Sequence, residues 1–326
     1  MDVLVTGGAG FIGSALVRAL LARGDRVRVL DDLSTGRVDN LAGLAPAPEL
    51  VDGDVRDPGL VAESARGAEA FFHLAALPSV ARSVQDPVGT HEVNVGGTLN
   101  VLLAARDGGV RRLVYASSSS IYGDTPTMPK HEEMPPALLS PYAAQKLAGE
   151  TYCRAFSKVY GLETVSLRFF NVFGPRQDPA SEYAAVIPRF LTQMLAGEPP
   201  TVHGDGGQSR DFTYVDNAVS AMLLAASSGP EAAGETMNVA CGERISLLDL
   251  VRALNELLGA DLAPEFTDPR PGDVRHSEAA ISKAEQLIGY RPAVRVYEGV
   301  AETLRWFAER NTPAEGAGAT TSRRGS

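Results

Sequence analysis

Tyr142 and Lys146 stand four residues apart in the stretch Ser140-Pro141-Tyr142-Ala143-Ala144-Gln145-Lys146. Ser then Pro before an Ala-rich run predicts a helix start, and four residues is about one helical turn, so the two side chains share a face. A phenol titrates at about 10 and is a poor base at neutral pH. An ammonium beside it favours the phenolate and brings the pKa toward the working range, which makes the pair a candidate general base. The same spacing fits an ordinary amphipathic helix with a Tyr and a Lys on its flank, so the pattern needs support from the rest of the chain.

The opening residues supply a place for a cofactor. Val3-Leu4-Val5 reads as a short buried strand, Thr6-Gly7-Gly8-Ala9-Gly10-Phe11-Ile12-Gly13 as a glycine turn, and Ser14 to Arg23 as a helix with Ala15, Leu16, Ala19 and Leu20 at helical spacing. Strand, glycine loop and helix in that order suit a pyrophosphate. The backbone approaches the anion closely and the helix N-terminus offers it unpaired N–H groups. A second strand, Val27 to Leu30, ends in Asp31, eighteen residues beyond Gly13. An acidic side chain there accepts from the adenosine ribose hydroxyls and repels a 2′-phosphate, which favours NAD over NADP. Arg37, close by, reads either as a phosphate holder or as a solvated loop charge.

Further strand patterns recur at Glu49 to Val51, Ala70 to Leu74, Arg112 to Ala116 and Thr164 to Arg168, with helical stretches between them. This alternation predicts an α/β fold, a doubly wound parallel Rossmann sheet with ligands at the carboxyl ends of its strands. Those ends carry Gly53-Asp54-Val55, His73-Leu74-Ala75-Ala76, Ser117 to Ser120, and Phe170-Asn171-Val172-Phe173-Gly174. His73 lies inside an apolar strand, where a hydrogen-bonded core histidine is expected rather than a base. After Pro175 the elements shorten and Arg176, Arg189, Arg210, Arg270 and Arg275 fall in loops. We read residues 1–170 as a dinucleotide-binding domain to which later segments return, 171–310 as a smaller α/β substrate-binding domain, and 311–326 as a disordered tail. Helices are expected over Leu247 to Leu258 and Tyr297 to Arg310.

The chain has 326 residues, 44% hydrophobic and 21% charged, with a net charge of -10. That balance suits a globular protein and disfavours nucleic acid and anionic membranes as partners, so any bound phosphate must meet local donors. Two isolated cysteines, Cys153 and Cys241, offer neither a disulfide framework nor a thiolate metal site. No metal is expected. The sequence begins on a strand pattern, without a basic and apolar leader, and holds no run long enough to span a bilayer, from which a cytoplasmic location is expected.

Eight ordered motifs now carry a resemblance: T-G-G-A-G-F-I-G at 6–13, Asp31, G-D-V at 53–55, H-L-A-A at 73–76, N-V-G-G-T at 94–98, S-S-S-S-I-Y-G-D at 117–124, S-P-Y-A-A-Q-K at 140–146 and L-R-F-F-N-V-F-G-P at 167–175. Over about residues 1 to 310 the chain resembles the extended short-chain dehydrogenase/reductases that act on nucleotide sugars. Within them it is most similar to UDP-hexose 4-epimerases, in particular the bacterial branch acting on UDP-N-acetylglucosamine and UDP-N-acetylgalactosamine. N-V-F-G-P-R-Q-D-P at 171–179, Y-A-A-V-I-P at 183–188, G-D-G-G-Q-S-R-D-F at 204–212 and R-P-G-D-V-R-H-S at 270–277 suggest that branch.

The resemblance implies bound NAD, held by Gly7, Gly10, Phe11, Ile12, Gly13, Asp31, Asp54, Val55, Leu74, Ala75, Ala76, Asn94, Tyr142 and Lys146. It makes Ser118, Tyr142 and Lys146 catalytic. For the UDP-sugar it implies Ser79, Arg82, Ser118, Ser119, Asn171, Gln177, Ala185, Val186, Arg210, Arg270, Asp273 and Ser277. The reaction implied is reversible inversion at C4 through a 4-keto sugar. Ser277 corresponds to a position beside the C2 substituent of the sugar, where a small residue leaves room for an N-acetyl group. A homodimer is implied through Val93 to Ala105 and Tyr142 to Tyr160.

Neighbouring activities fit less well. Dehydratases resemble T-D-E-V-Y-G, and decarboxylases carry a Glu, where this chain has Ser118-Ser119-Ser120-Ile121-Tyr122-Gly123. Glucuronate 4-epimerases read T-V-Y-G-P where Asn171 opens the run here. A binding protein that has lost its chemistry is the rival of another class, and the joint presence of Ser118, Tyr142 and Lys146 argues against it. Ala280 departs from the epimerase pattern, in which Asp is common.

Overall fold

Apolar runs buried on both faces form the centre of the computed structural model, which describes residues 1–179, 185–269 and 274–311. Six strands follow the expected order: β1 Asp2–Thr6, β2 Arg26–Asp31, β3 Glu49–Asp52, β4 Ala70–His73, β5 Arg112–Ser118 and β6 Glu163–Phe169. A seventh, β7 Glu235–Val239, lies parallel to β6, so the sheet order is β7-β6-β5-β4-β1-β2-β3. All its pairings are parallel. The expected doubly wound sheet is therefore present. The sequence reading did not include β7, because Thr236 and Asn238 interrupt its apolar run. Both are buried, and Asn238 donates to the carbonyls of Lys130 and Ala280.

Alternation along each strand sends its side chains to two cores. Val3, Val5, Val27 and Val29 face helices α1 Phe11–Ala22 and, further along the chain, α4 Val215–Ser227. Leu4, Leu30, Phe71 and Leu113 face α2 Thr98–Asp107 and α3 Pro141–Tyr160. Each such aliphatic or aromatic side chain contributes about 1.5–3 kcal/mol on burial. The order reverses beside β1, which lies between β2 and β4, and there the carboxyl ends open the crevice that ligands of such sheets use.

Beyond β6 the chain makes three short two-stranded pairs. Val172–Phe173 joins Thr213–Tyr214, Ser209–Arg210 joins Ile245–Ser246, and Thr201–His203 joins Glu265–Thr267. The helix expected at Leu247–Leu258 (α5) is present, opened by a reciprocal Ser246/Asp249 capping box and closed by Gly259 at φ +61°. The last helix, α6, runs Val296–Asn311, so Asn311 closes a helix instead of starting the tail. Residues 312–326 lie outside the described residues. Among those described, no helix is long and apolar enough to cross a membrane, and no cluster of potential metal ligands occurs.

Candidate active site

Two serines set the start of α3. Ser140 accepts from the Ala143 N–H at 3.1 Å, and Ser83, from the short helix Val80–Gln85, accepts from the Tyr142 N–H at 3.0 Å. Pro141 at the first helical position needs no partner. Tyr142 is thereby fixed at its backbone as well as by burial. Across from it, β5 ends at Ser118, whose hydroxyl lies near enough to the Tyr142 phenol to favour its ionised form. One turn along α3, the Lys146 Nζ donates to the Ala116 carbonyl at 2.8 Å and sits 5.9 Å from the Tyr142 ring centroid.

The electrostatics reverse one expectation. Burial pushes the Tyr142 phenol up to about 12, with the Ser118 hydroxyl beside it pulling the other way. Burial likewise pushes the Lys146 ammonium down to about 8. Desolvation of the phenolate thus dominates at Tyr142 in the protein by itself.

The glycine loop fits a dinucleotide. Gly7 has φ +72°, and a Cβ there would lie 2.6 Å from the Ala75 nitrogen; a Cβ on Gly13 would lie 2.0 Å from the Gly7 carbonyl. Phe11 and Ile12 begin α1 directly after Gly10. Asp31, at the end of β2, accepts from the Ala9 N–H at 2.8 Å and the Leu33 N–H at 2.9 Å, so the carboxylate is held against the loop. Burial raises its pKa and these two bonds oppose the rise. Arg37 pairs with Asp178 at 2.9 Å on the surface.

Other cofactor candidates line the same crevice or brace it. Asp54 pairs with Arg56 at 2.6 Å, which lowers its pKa, and Val55 packs under Gly97. Leu74 and Ala75 bond to Thr6, the last residue of β1, and Ala76 follows them. Asn94 is buried in a π-helical stretch, Glu92–Gly97, where it accepts from the Leu77 N–H at 2.8 Å and donates to Gln145 at 2.8 Å. Its amide clamps the loop after β4 to α3. His73 is the core histidine expected, bonded to Thr6 at 2.7 Å and Thr98 at 2.9 Å, with burial holding its pKa at about 3.

On the sugar side, Ser79 caps helix Val80–Gln85 by accepting from the Arg82 N–H, while Ser119 opens the turn after Ser118. Asn171, at φ +37°, donates to the Asp211 carbonyl at 2.9 Å and to the Ser277 hydroxyl at 3.3 Å. The Ser277 N–H in turn donates to the Ser209 carbonyl, beside Arg210. Arg210 donates to the Ser209 and Arg275 carbonyls. Gln177 donates to Val172, and Ala185 and Val186 begin the helix Val186–Leu195. Arg270 and Asp273, like Tyr183, lie outside the described residues. The structure thus brings Ser118 close to Tyr142 and bonds Asn171 to Ser277.

Two residues that place these groups escaped the sequence reading. Ser83 carries no local sign of its bond to a backbone 59 residues away. Asp211 accepts from the N–H groups of Cys241, Gly242 and Ala279, tying the Ser277 segment to Asn171. An acidic residue between Arg210 and Phe212 was its only signal.

A doubly wound sheet with this glycine cradle, and a Ser, Tyr and Lys converging at its carboxyl edge, defines a dinucleotide-dependent α/β enzyme. The model of the NAD dependent epimerase/dehydratase family matches residues 3–240. A UDP-glucose 4-epimerase of Mycolicibacterium smegmatis is 43% identical over 95% of this chain and 100% of its own. Among solved structures, a UDP-N-acetylglucosamine 4-epimerase of Methanobrevibacter ruminantium in complex with UDP-N-acetylmuramic acid is 38% identical, at TM-score 0.91 over 95% of this chain and 98% of that one. A UDP-glucose 4-epimerase of Thermus thermophilus in complex with NAD is 40% identical, at TM-score 0.86 over 96% and 100%. The chain belongs to the NAD dependent epimerase/dehydratase family, and its cofactor is NAD.

Proposed function

We propose that this enzyme inverts C4 of a UDP-hexose reversibly, with UDP-N-acetylglucosamine and UDP-N-acetylgalactosamine as preferred substrates and UDP-glucose and UDP-galactose as slower ones. The convergence of Ser118, Tyr142 and Lys146 at the end of β5 carries the reading, since a hydroxyl beside the phenol offers a proton path to a substrate hydroxyl. When bound, NAD supplies the hydride acceptor and donor at C4. Tyr142 takes and returns the proton of the 4-hydroxyl, Ser118 relays it, and the Lys146 ammonium holds the nicotinamide ribose. Arg210 and Arg270 grip the diphosphate while the sugar is held loosely enough to present either face.

The preference for N-acetylated sugars rests on Ser277, whose hydroxyl meets Asn171 at 3.3 Å. A small side chain there leaves space for an acetamide. A bulky ring overpacks it, whereas a hydroxyl in a roomy pocket forfeits only about 1–3 kcal/mol of packing. Incubating the purified enzyme with UDP-N-acetylglucosamine and no added NAD tests the activity. An epimer without NADH accumulation is expected; steady NADH release or a 4-keto-6-deoxy product overturns the reading. Ser277→Tyr then tests the gate, with near loss of N-acetylated turnover and retained UDP-galactose turnover expected. An equal effect on both substrates removes Ser277 from the pocket.

A further inference from the structure

Beneath the catalytic residues lies a buried ion pair with no part in the proton path above. Glu150 is on α3, one turn past Lys146 and two past Tyr142, and is 4% exposed. Its Oε1 accepts from the Ser117 hydroxyl at 2.5 Å and from the Arg168 Nε at 2.8 Å; its Oε2 accepts from Arg168 Nη2 at 2.8 Å. Ser117 precedes the catalytic serine on β5, and Arg168 lies on β6 three residues before Asn171. One carboxylate therefore ties together the three elements that present Ser118, Lys146 and Asn171.

We propose that Glu150 is a positioning residue for this reaction, held by Arg168 and Ser117 so that its negative charge keeps Lys146 an ammonium. The proposal rests on the function assigned above only for what that ammonium does; the charge itself is measurable on its own.

Lys146, also 4% exposed, donates to the Ala116 carbonyl, which is neutral. Burial drives its pKa down, and Cys153 and then Glu150 oppose this; of those two, Glu150 is the carboxylate. The other groups around it supply no anion. From β4, His73 is neutral, with its pKa near 3. From β5, Tyr115 presents its ring at 5.0 Å, and burial keeps its phenol protonated. On α3 itself, Tyr142 and Cys153 are both pushed up to about 12 by burial and so stay neutral. From β6, Arg168 is cationic and acts through Glu150.

Arg168 tempers this charge as well as fixing it. Bidentate pairing with the guanidinium occupies both carboxylate oxygens, so Glu150 steadies Lys146 electrostatically without drawing Nζ away from the cleft. The Nη1 of Arg168 has no hydrogen-bond partner, and its Cζ lies 4.8 Å from the Tyr122 ring centroid. Glu150 is the one carboxylate bonded to that guanidinium among the described residues.

A buried pair of this kind can also serve stability alone, and the two roles separate by sign. The chain has four lysines, Lys130, Lys146, Lys158 and Lys283, so 13Cε-lysine NMR follows each titration in the purified NAD-loaded enzyme. Glu150→Gln is expected to lower the Lys146 midpoint by about one pH unit, because an opposite charge is lost. Arg168→Met is expected to raise it, because the carboxylate is no longer shared. The alkaline limb of kcat/KM moves with the midpoint in each variant. Glu150→Leu with Arg168→Met replaces the pair by apolar volume and keeps the protein folded should Glu150→Gln unfold it; it too lowers the midpoint. A Lys146 midpoint unmoved in all three variants, or moved the same way by Glu150→Gln and Arg168→Met, overturns the proposal.

Discussion

At the scale of single residues, the chemistry was legible where types and spacing are local. Tyr142, Lys146, the glycines of 7–13 and Asp31 each signal themselves within a short run. What sequence could not supply was the dielectric: spacing puts the phenol and the ammonium on one face, whereas burial drives Tyr142 up to about 12 and Lys146 down to about 8. Tyr142→Phe is accordingly expected to lower kcat by about 10²–10⁴-fold with NAD content and Tm retained, measured by coupled assay, extraction and calorimetry. Asp31→Ala is expected to weaken the preference of the protein for NAD over NADP, read from the dinucleotide released on denaturation. Tight NADP in the unaltered protein contradicts that assignment.

At the scale of elements, strand ends carried most of the information, because parallel sheets gather loops from distant segments at one edge. Contacts between those elements did not show in the sequence. Ser83 caps the Tyr142 backbone from another helix, and Ser83→Ala should cost about 1 kcal/mol of stability and lower kcat more than it changes KM. His73 joins β4 to β1 through Thr6 and to α2 through Thr98. Its pKa falls from 6.5 in the unfolded chain to about 3 when folded. Because the unfolded state binds the proton more readily, the stability His73 contributes is fully present above about pH 6.5 and lost as the pH falls toward 3. Denaturant titrations across that window should show a smaller acid-induced loss in His73→Gln than in the unaltered protein.

At the scale of the molecule, the surface of helix α3 carries a further expectation. Tyr152, Val159 and Tyr160 are exposed along α3, with Val159 70% exposed, while Val84 and Val88 are exposed on the neighbouring short helices. Such a patch suits a second copy of the chain in a two-fold arrangement. Light scattering at micromolar concentration should give twice the monomer mass, and Val159→Glu should halve it. Monomer mass in the unaltered protein removes the dimer.

The position of β7 beside β6 has a consequence for biosynthesis. A ribosome delivers β6 well before Glu235–Val239 emerges, and through that interval the nascent sheet presents the bare edge of a strand containing Val165, Leu167 and Phe169. Translation stalled there leaves a template for sticking to other chains, so the growing polypeptide has most need of a chaperone between those two points.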